Sequence, residues 1–262
     1  MARPISGGDK FGRFAKKGSV FAGKVDGSRV MELKGASVID VIKGTASDSG
    51  RWHDLEDLEI LAPVELPSKI ICIGLNYRSH IAEMKWEIPK NPIIFTKPSS
   101  AIVGPQENIV LPRASSRVDY EGESAIVIGK RASHVRDGAE FIFGYSCFND
   151  VTARDLQKAD VDWTRAKGFD TFAPMGPFIS TEKPTRIMTR LNGRVVQDAP
   201  LSDRVFGDEA LVQYISTIMT LEPGDVIATG TPSGISPMKD GDVVEVELDT
   251  VGTLTNQVVK SP

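Results

Sequence analysis

The sequence predicts an α+β protein that is mainly β with few helices, and three observations carry that reading. Asp26-Gly27 and Asn192-Gly193 each lie between runs of β-forming residues, the strongest short-range signal for a two-residue hairpin. Short apolar runs bounded by Gly or Pro recur along the chain, as in residues 69–74 and 93–98. A helical period appears over residues 209–219, through Leu211, Val212, Ile215, Ile218 and Met219, and the remaining helices are short.

Taken in order, the chain begins with a basic cluster, Arg3, Lys10, Arg13, Lys16 and Lys17, interrupted by Gly7, Gly8 and Asp9 and followed by no apolar leader segment. It reads as a loose start leading into a first strand. Residues 19–25 and 29–33 flank the first hairpin signal, and residues 38–42 and 58–61 are shorter apolar pieces around a polar loop containing residues 45–50. Pro63 and Pro67 break the pattern, so a small β-rich N-terminal domain is expected over residues 1–65 and a larger domain over residues 66–262. Residues 69–74 suit a buried strand, residues 77–85 a short helix, and residues 93–98 another strand closed by Pro98. Residues 118–128 read as one strand of period two, residues 141–149 as a strand, and residues 151–159 as a helix with Asp150 or Thr152 as N-cap. Strands are also expected at residues 226–229, 243–248 and 253–259.

Composition narrows the function. At 262 residues, with 40% hydrophobic and 25% charged residues, the chain can build a sizeable core. Its formal charge of -4 gives no electrostatic reason to expect nucleic acid or an anionic membrane as partner. No apolar run approaches the roughly 18 residues of a membrane span, so a soluble protein is expected. Cys72 and Cys147 both sit in apolar company and read as buried reduced thiols, which favours the cytoplasm.

The chemistry gathers on acidic residues. In a period-two strand Glu121 and Glu123 point to one face, and like charges on a poorly hydrated face protonate, find cations or hold a metal. Asp150 ends the next strand and can join them. Three carboxylates with open positions for water and substrate suit Mg²⁺ or Mn²⁺, hard ions that prefer oxygen. The same spacing also fits a solvated strand face, with Asp150 only capping a helix. His80 and Glu83 lie three apart on the short helix and share a face, which suits either a general base oriented by a carboxylate or a surface ion pair. Lys167 can hold the carboxylate of an anionic substrate. Thr229-Gly230-Thr231-Pro232-Ser233-Gly234 offers hydroxyls but lacks the lysine and spacing of a phosphate loop.

Several motifs in order resemble the fumarylacetoacetate hydrolase family, in particular short members related to acylpyruvases, oxaloacetate decarboxylases and 2-hydroxyhepta-2,4-diene-1,7-dioate isomerases. They are residues 69–77 with His80 and Glu83, Phe95-Thr96-Lys97-Pro98, Asp119-Tyr120-Glu121-Gly122-Glu123, residues 149–157, residues 163–172, residues 219–226 and Thr229-Gly230-Thr231-Pro232. The resemblance implies a mixed β-roll with a small N-terminal domain, usually a homodimer. It implies Glu121, Glu123 and Asp150 as ligands of Mg²⁺ or Mn²⁺, and Lys167 and Gln157 as contacts to substrate or water. Thr231 would line the pocket, and His80 and Glu83 would form a dyad on a lid. The implied substrate is a short 2-oxo or 2,4-dioxo acid that reacts through a metal-bound enolate. Hydrolytic carbon–carbon cleavage leads, with decarboxylation or isomerisation as the alternative and a non-catalytic acid-binding or interaction protein as the other class. Ser124, Pro200-Leu201 and Ile235-Ser236-Pro237 depart from the pattern, and the last two leave the distal substrate contacts open.

Overall fold

The computed structural model describes residues 8–34 and 37–261. Arg3 and Gly7 of the basic cluster lie outside the described residues, while Lys10–Lys16 is the first strand. The molecule is mostly β, as the sequence predicts. A twelve-stranded sheet runs in the order Ser47–Asp54, Arg29–Lys34, Ser19–Asp26, Lys10–Lys16, Ala173–Ser180, Ile142–Asn149, Gly122–Ile128, Val226–Ala228, Ile70–Gly74 and Ile93–Lys97, with two short strands attached beside this path. Lys10 pairs with Ser180, so the N-terminal strands continue the sheet of the larger portion. Five strands form a second sheet in the order Arg194–Pro200, Arg186–Leu191, Val243–Leu248, Gly252–Lys260 and Ile109–Leu111. Both sheets are mixed, because Val226–Ala228 lies parallel to Ile70–Gly74 and Gly252–Lys260 parallel to Ile109–Leu111.

Gly122–Ile128 is central, and every residue in it is buried. Ile126 and Ile128 enter a core with Val244, Val246 and Leu254 of the second sheet. Ala125 and Val127 face another core with Phe11, Met175 and Val226. A strand committed on both faces fixes its register, since a slip by one residue would exchange two apolar sets and carry Glu123 away from its neighbours.

Five local expectations are corrected. Residues 118–128 are not one strand: Val118–Asp119 pairs with Thr152–Ala153, and Gly122–Ile128 pairs with Ile142–Asn149. Between them the side chain of Asn149 accepts the Glu121 N–H at 2.9 Å, which replaces a ladder bond and turns the chain. The helix after Asp150 starts later, at Arg154–Ala159, and neither Asp150 nor Thr152 caps it. Asp150 is occupied by lysines, and Thr152 donates to the Asp150 carbonyl. Val38–Ile42 is a helix, because Ser37 and Asp40 close a reciprocal capping box, and Ser47–Asp54 turns most of the expected polar loop into a strand. The first hairpin loop is Gly27-Ser28, one residue later than expected, whereas Asn192-Gly193 closes the second with both φ angles positive, as a type I′ turn requires.

Gly122 cannot carry a side chain without displacement: a Cβ there would stand 2.0 Å from the Thr189 hydroxyl oxygen. We expect Gly122→Ala to cost about 1–3 kcal/mol, the range for overpacking a filled core, measured by chemical denaturation.

Candidate metal centre and active site

The bend at Glu121 and the strand that follows bring two carboxylates inward, and the exit of Ile142–Asn149 adds a third. Glu121, Glu123 and Asp150 are buried, and each offers an oxygen within 4.8 Å of the others. The backbone closes this arrangement, since the Asp150 N–H donates to the Glu121 carbonyl at 2.8 Å. No histidine or cysteine belongs to the group, so the donor set is all oxygen and fits Mg²⁺ or Mn²⁺.

Cations surround the triad. Lys167 donates to Glu121 at 2.9 Å and to Asp150 at 2.6 Å, and Lys97 donates to the other Asp150 oxygen at 2.6 Å and to the Val151 carbonyl at 3.0 Å. Arg154 pairs with Glu121, reaches Asp119 at 3.0 Å and holds Gln157 at 2.6 Å. Glu123 has no lysine or arginine partner among the described residues; it accepts the Gly230 N–H at 2.7 Å.

These neighbours pull the carboxyls apart. Burial and then the charges of Asp150 and Glu121 push Glu123 well above the ordinary carboxylate range. Burial also opposes ionisation of Glu121, but Lys167 and Arg154 outweigh it and hold that carboxyl well below its ordinary range. Lys97 is lowered by burial despite Asp150, whereas the two carboxylates at Lys167 overcome burial and raise it. The sign for stability follows. A carboxyl with a raised folded pKa favours the metal-free fold below that value and loses the contribution as pH rises through the window above the ordinary glutamate range. A cation entering the triad would compete with a proton at Glu123. We therefore expect Mg²⁺ affinity to climb as pH rises above the ordinary glutamate range, by at most roughly tenfold per unit, with up to one proton released. Calorimetry in buffers of different ionisation enthalpy measures that proton.

The triad lines a cavity of about 410 Å³. His80, Gln157, Lys167 and Thr231 line it together with Phe95, Trp163, Trp86, Ile73 and Ile235. His80 lies on the helix Arg78–Met84, and its Nδ1 is 3.0 Å from Glu83 Oε2; Glu83 also accepts the Gly234 N–H at 3.3 Å. The Thr231 hydroxyl donates to the Gly122 carbonyl at 2.9 Å and accepts from Gln197 at 2.8 Å. Every site residue singled out in the sequence except Glu83 therefore lines one cavity, and Glu83 touches it through His80. The bottom of the site is stiffened by aromatic packing, with Lys167 Nζ 4.9 Å from the Phe95 ring centre and Phe95 edge-on to Trp163 at 5.0 Å.

Sequence reasoning assigned no role to Lys97, Arg154, Asp119, Asn149 or Gln197. Lys97 and Arg154 stood inside quoted motifs, so position alone marked them; nothing local reveals that Gln197, on a strand of the second sheet, bonds Thr231 and the Gly122 N–H. Both cysteines are free and buried as expected, with the Cys147 thiol pushed up to about 12 by burial. Among the departures, Ser124 has a buried hydroxyl without a partner among the described residues, Ser236 bonds the Tyr120 hydroxyl, and Ile235 reaches the cavity.

One cavity in a mostly β fold is therefore lined by a buried all-oxygen acidic triad and a histidine. Residues 69–259 match the fumarylacetoacetate (FAA) hydrolase C-terminal family and residues 10–63 match the Rv2993c-like N-terminal family. The chain belongs to the fumarylacetoacetate hydrolase family. It is similar to the 2-hydroxyhepta-2,4-diene-1,7-dioate isomerase from Mycobacterium marinum, at 41% identity and TM-score 0.87 over 97% of this chain and 99% of that one. The maleylpyruvate hydrolase from Sphingobium sp. SYK-6, solved with manganese(II) and pyruvate, is 30% identical with TM-score 0.81, over 97% of this chain and 100% of that one. Oxaloacetate tautomerase Fahd2a of Rattus norvegicus is 42% identical over 76% of this chain and 69% of its own length. No helix among the described residues is long and apolar enough to cross a membrane.

Proposed function

We propose that this protein is a divalent-metal-dependent enzyme acting on a short 2-oxo or 2,4-dioxo acid, with hydrolytic carbon–carbon cleavage as its leading reaction. The observation that supports this reading is the shared cavity, lined by His80, whose Nδ1 meets Glu83, and by Glu121, Glu123 and Asp150. The three carboxylates would hold Mg²⁺ or Mn²⁺, which when bound supplies a Lewis acid for the carboxylate and keto oxygens of the substrate.

The remaining steps belong to the chain's own side chains. Glu83 accepts the Nδ1–H of His80, which fixes the tautomer that leaves Nε2 free as a base. Nε2 takes a proton from water as the water attacks the 4-oxo carbonyl. The carbon–carbon bond then breaks, its electron pair stays on the 2-oxo fragment as an enolate, and proton return gives two acids. Lys167 stays cationic beside Glu121 and Asp150, so it positions the substrate carboxylate without acting as a base. Gln157, itself held by Arg154, supplies an amide to substrate or water.

A tautomerase or isomerase is the second reading. His80 can move a proton at C3 without admitting water, and the relatives named for those reactions are 42% and 41% identical, against 30% for the hydrolase. The test is a panel of oxaloacetate, acylpyruvates and a hydroxydienedioate with Mg²⁺ or Mn²⁺, following substrate loss and products together. Pyruvate and a second acid in equal amounts support hydrolysis; enol–keto exchange alone supports the second reading. No turnover of any member with either metal would sink both.

A further inference from the structure

The helix that carries His80 has little of its own to hold it in place. Arg78–Met84 is seven residues long, too short to be stable alone, and Tyr77 before it offers no side-chain cap. Within it only His80 and Ile81 are buried, so one apolar side chain anchors it besides the imidazole. Glu83 ties its far end through the 3.3 Å contact with the Gly234 N–H, a long bond at an exposed position. What fixes the near end comes from residues 201–206, which begin at the Leu201 that departs from the family pattern.

Leu201–Asp203 is a 3₁₀ turn, closed where Arg204 returns its backbone N–H at 3.3 Å and its Nε at 3.0 Å to the Leu201 carbonyl. The turn presents Asp203 to Ser79, the residue before His80. One carboxylate oxygen of Asp203 accepts from the Ser79 N–H at 3.1 Å and from the Ser79 hydroxyl at 2.7 Å. Arg78 Nη1 donates back to the Asp203 carbonyl at 3.2 Å and to the Arg204 carbonyl at 2.7 Å. Behind this contact the two segments are zipped together. Tyr77 and Arg204 form an antiparallel bridge, and the Asn76 carbonyl accepts the Val205 N–H at 2.7 Å. The buried Asn76 side chain accepts the Phe206 N–H at 2.8 Å and donates to the carbonyls of Phe206 and Thr229 at 3.0 and 2.8 Å.

These contacts differ in what they hold. Asn76 and the backbone bonds fix the chain as far as Tyr77, whereas the Asp203 carboxylate reaches into the helix itself, where a shift of Ser79 carries His80 with it. Neither Asp203 nor Ser79 is among the described residues that line the cavity, and neither belongs to the acidic triad. A carboxylate that accepts two bonds from one residue is a strong tether, since charge-assisted bonds are roughly twice as strong as neutral ones. The structure assigns Asp203 as a positioning residue for His80: its carboxylate, bonded twice to Ser79, sets the place of the imidazole in the cavity. This rests on the reading of His80 as the general base, and it gives residues 201–206 a role that the reaction itself leaves unused.

The chain has three histidines, so ¹⁵N-labelled histidine makes the His80 ring observable, its signals being those that vanish in His80→Ala. In the unaltered protein we expect its proton on Nδ1, where Glu83 accepts it. Asp203→Ala should move the ring signals toward the averaged pair of a free imidazole. On the best acid of the panel kcat should fall about tenfold to a hundredfold, the scale of a catalytic group displaced by about 1 Å. KM and Mg²⁺ affinity should stay within about twofold, because no group that holds substrate or metal has been removed. Asp203→Asn keeps an oxygen for both Ser79 donors and should restore kcat to within about threefold, the neutral acceptor being weaker. Ser79→Ala removes the hydroxyl half of the contact and should show the same signature in smaller measure, with no further loss when combined with Asp203→Ala. Ring signals in Asp203→Ala identical to those of the unaltered protein overturn the assignment. So does a parallel loss of Mg²⁺ affinity, which marks a general loosening of the fold. The ring signals need no substrate, so if no acid of the panel turns over, the proposed reaction fails while the positioning role is still decided.

Discussion

Glu123→Ala is expected to abolish Mg²⁺ and Mn²⁺ binding while the fold survives. Glu123 contributes one of the three oxygens that lie within 4.8 Å of one another, and with two carboxylates left the site has lost an anionic ligand. The affinity should fall by more than about a hundredfold, the upper range for losing even an outer-shell partner. The fold survives because little depends on this carboxyl: among the described residues it accepts one hydrogen bond, from Gly230 N–H, and burial already disfavours its charge. Asp150→Ala should also remove the metal, but with a different cost. Lys97 and Lys167 each donate to Asp150 at 2.6 Å, and Lys97 is fully buried at its side chain, so deleting Asp150 strands cationic groups. Breaking such a pair from one side costs about 3–5 kcal/mol, which a thermal melt reads directly. Unchanged Mg²⁺ titration in Glu123→Ala would remove the triad assignment.

His80→Ala should leave metal binding intact and lose turnover. The imidazole is outside the acidic group, yet it lines the same cavity with its Nδ1 held by Glu83. Removing a positioned general base costs about 10²–10⁴ in rate. The loss should appear in kcat more than in KM, because His80 moves a proton and the substrate is held elsewhere. Glu83→Gln should also lower kcat, since an amide N–H can donate to Nδ1 and favour the tautomer that carries its proton on Nε2, which disables the base. Full activity of His80→Ala on the best substrate would take the dyad out of the mechanism.

Much of this was legible locally. The period of two read over residues 118–128 committed both faces of the central strand, and in Gly122–Ile128 both are buried, each in its own core. Glu-x-Glu spacing put two carboxylates on one side, and the i,i+3 spacing of His80 and Glu83 made their contact a matter of helix geometry. Turn chemistry gave the Asn192-Gly193 hairpin to the residue. Where the reading failed, a distant group had replaced a local preference. The single strand over residues 118–128 breaks because Asn149 takes the Glu121 N–H, and the expected caps at Asp150 and Thr152 fail because Asp150 is held by Lys97 and Lys167. The helix at Val38–Ile42 was missed for another reason: an apolar pentapeptide has no readable period, and its Ser37-Asp40 box is the one local signal.

The sequence by itself determined the strand-rich architecture, the acidic pair, the dyad and the family, because period, turn chemistry and motif order are properties of neighbours along the chain. Tertiary structure decided that three carboxylates 2 to 29 residues apart share one site, which of them is pushed up and which down from the ordinary carboxylate range, and which cations are consumed. Lys97, Arg154 and Lys167 come from separate elements, and the balance of burial against charge at Glu121 and Glu123 exists only once those elements are packed together.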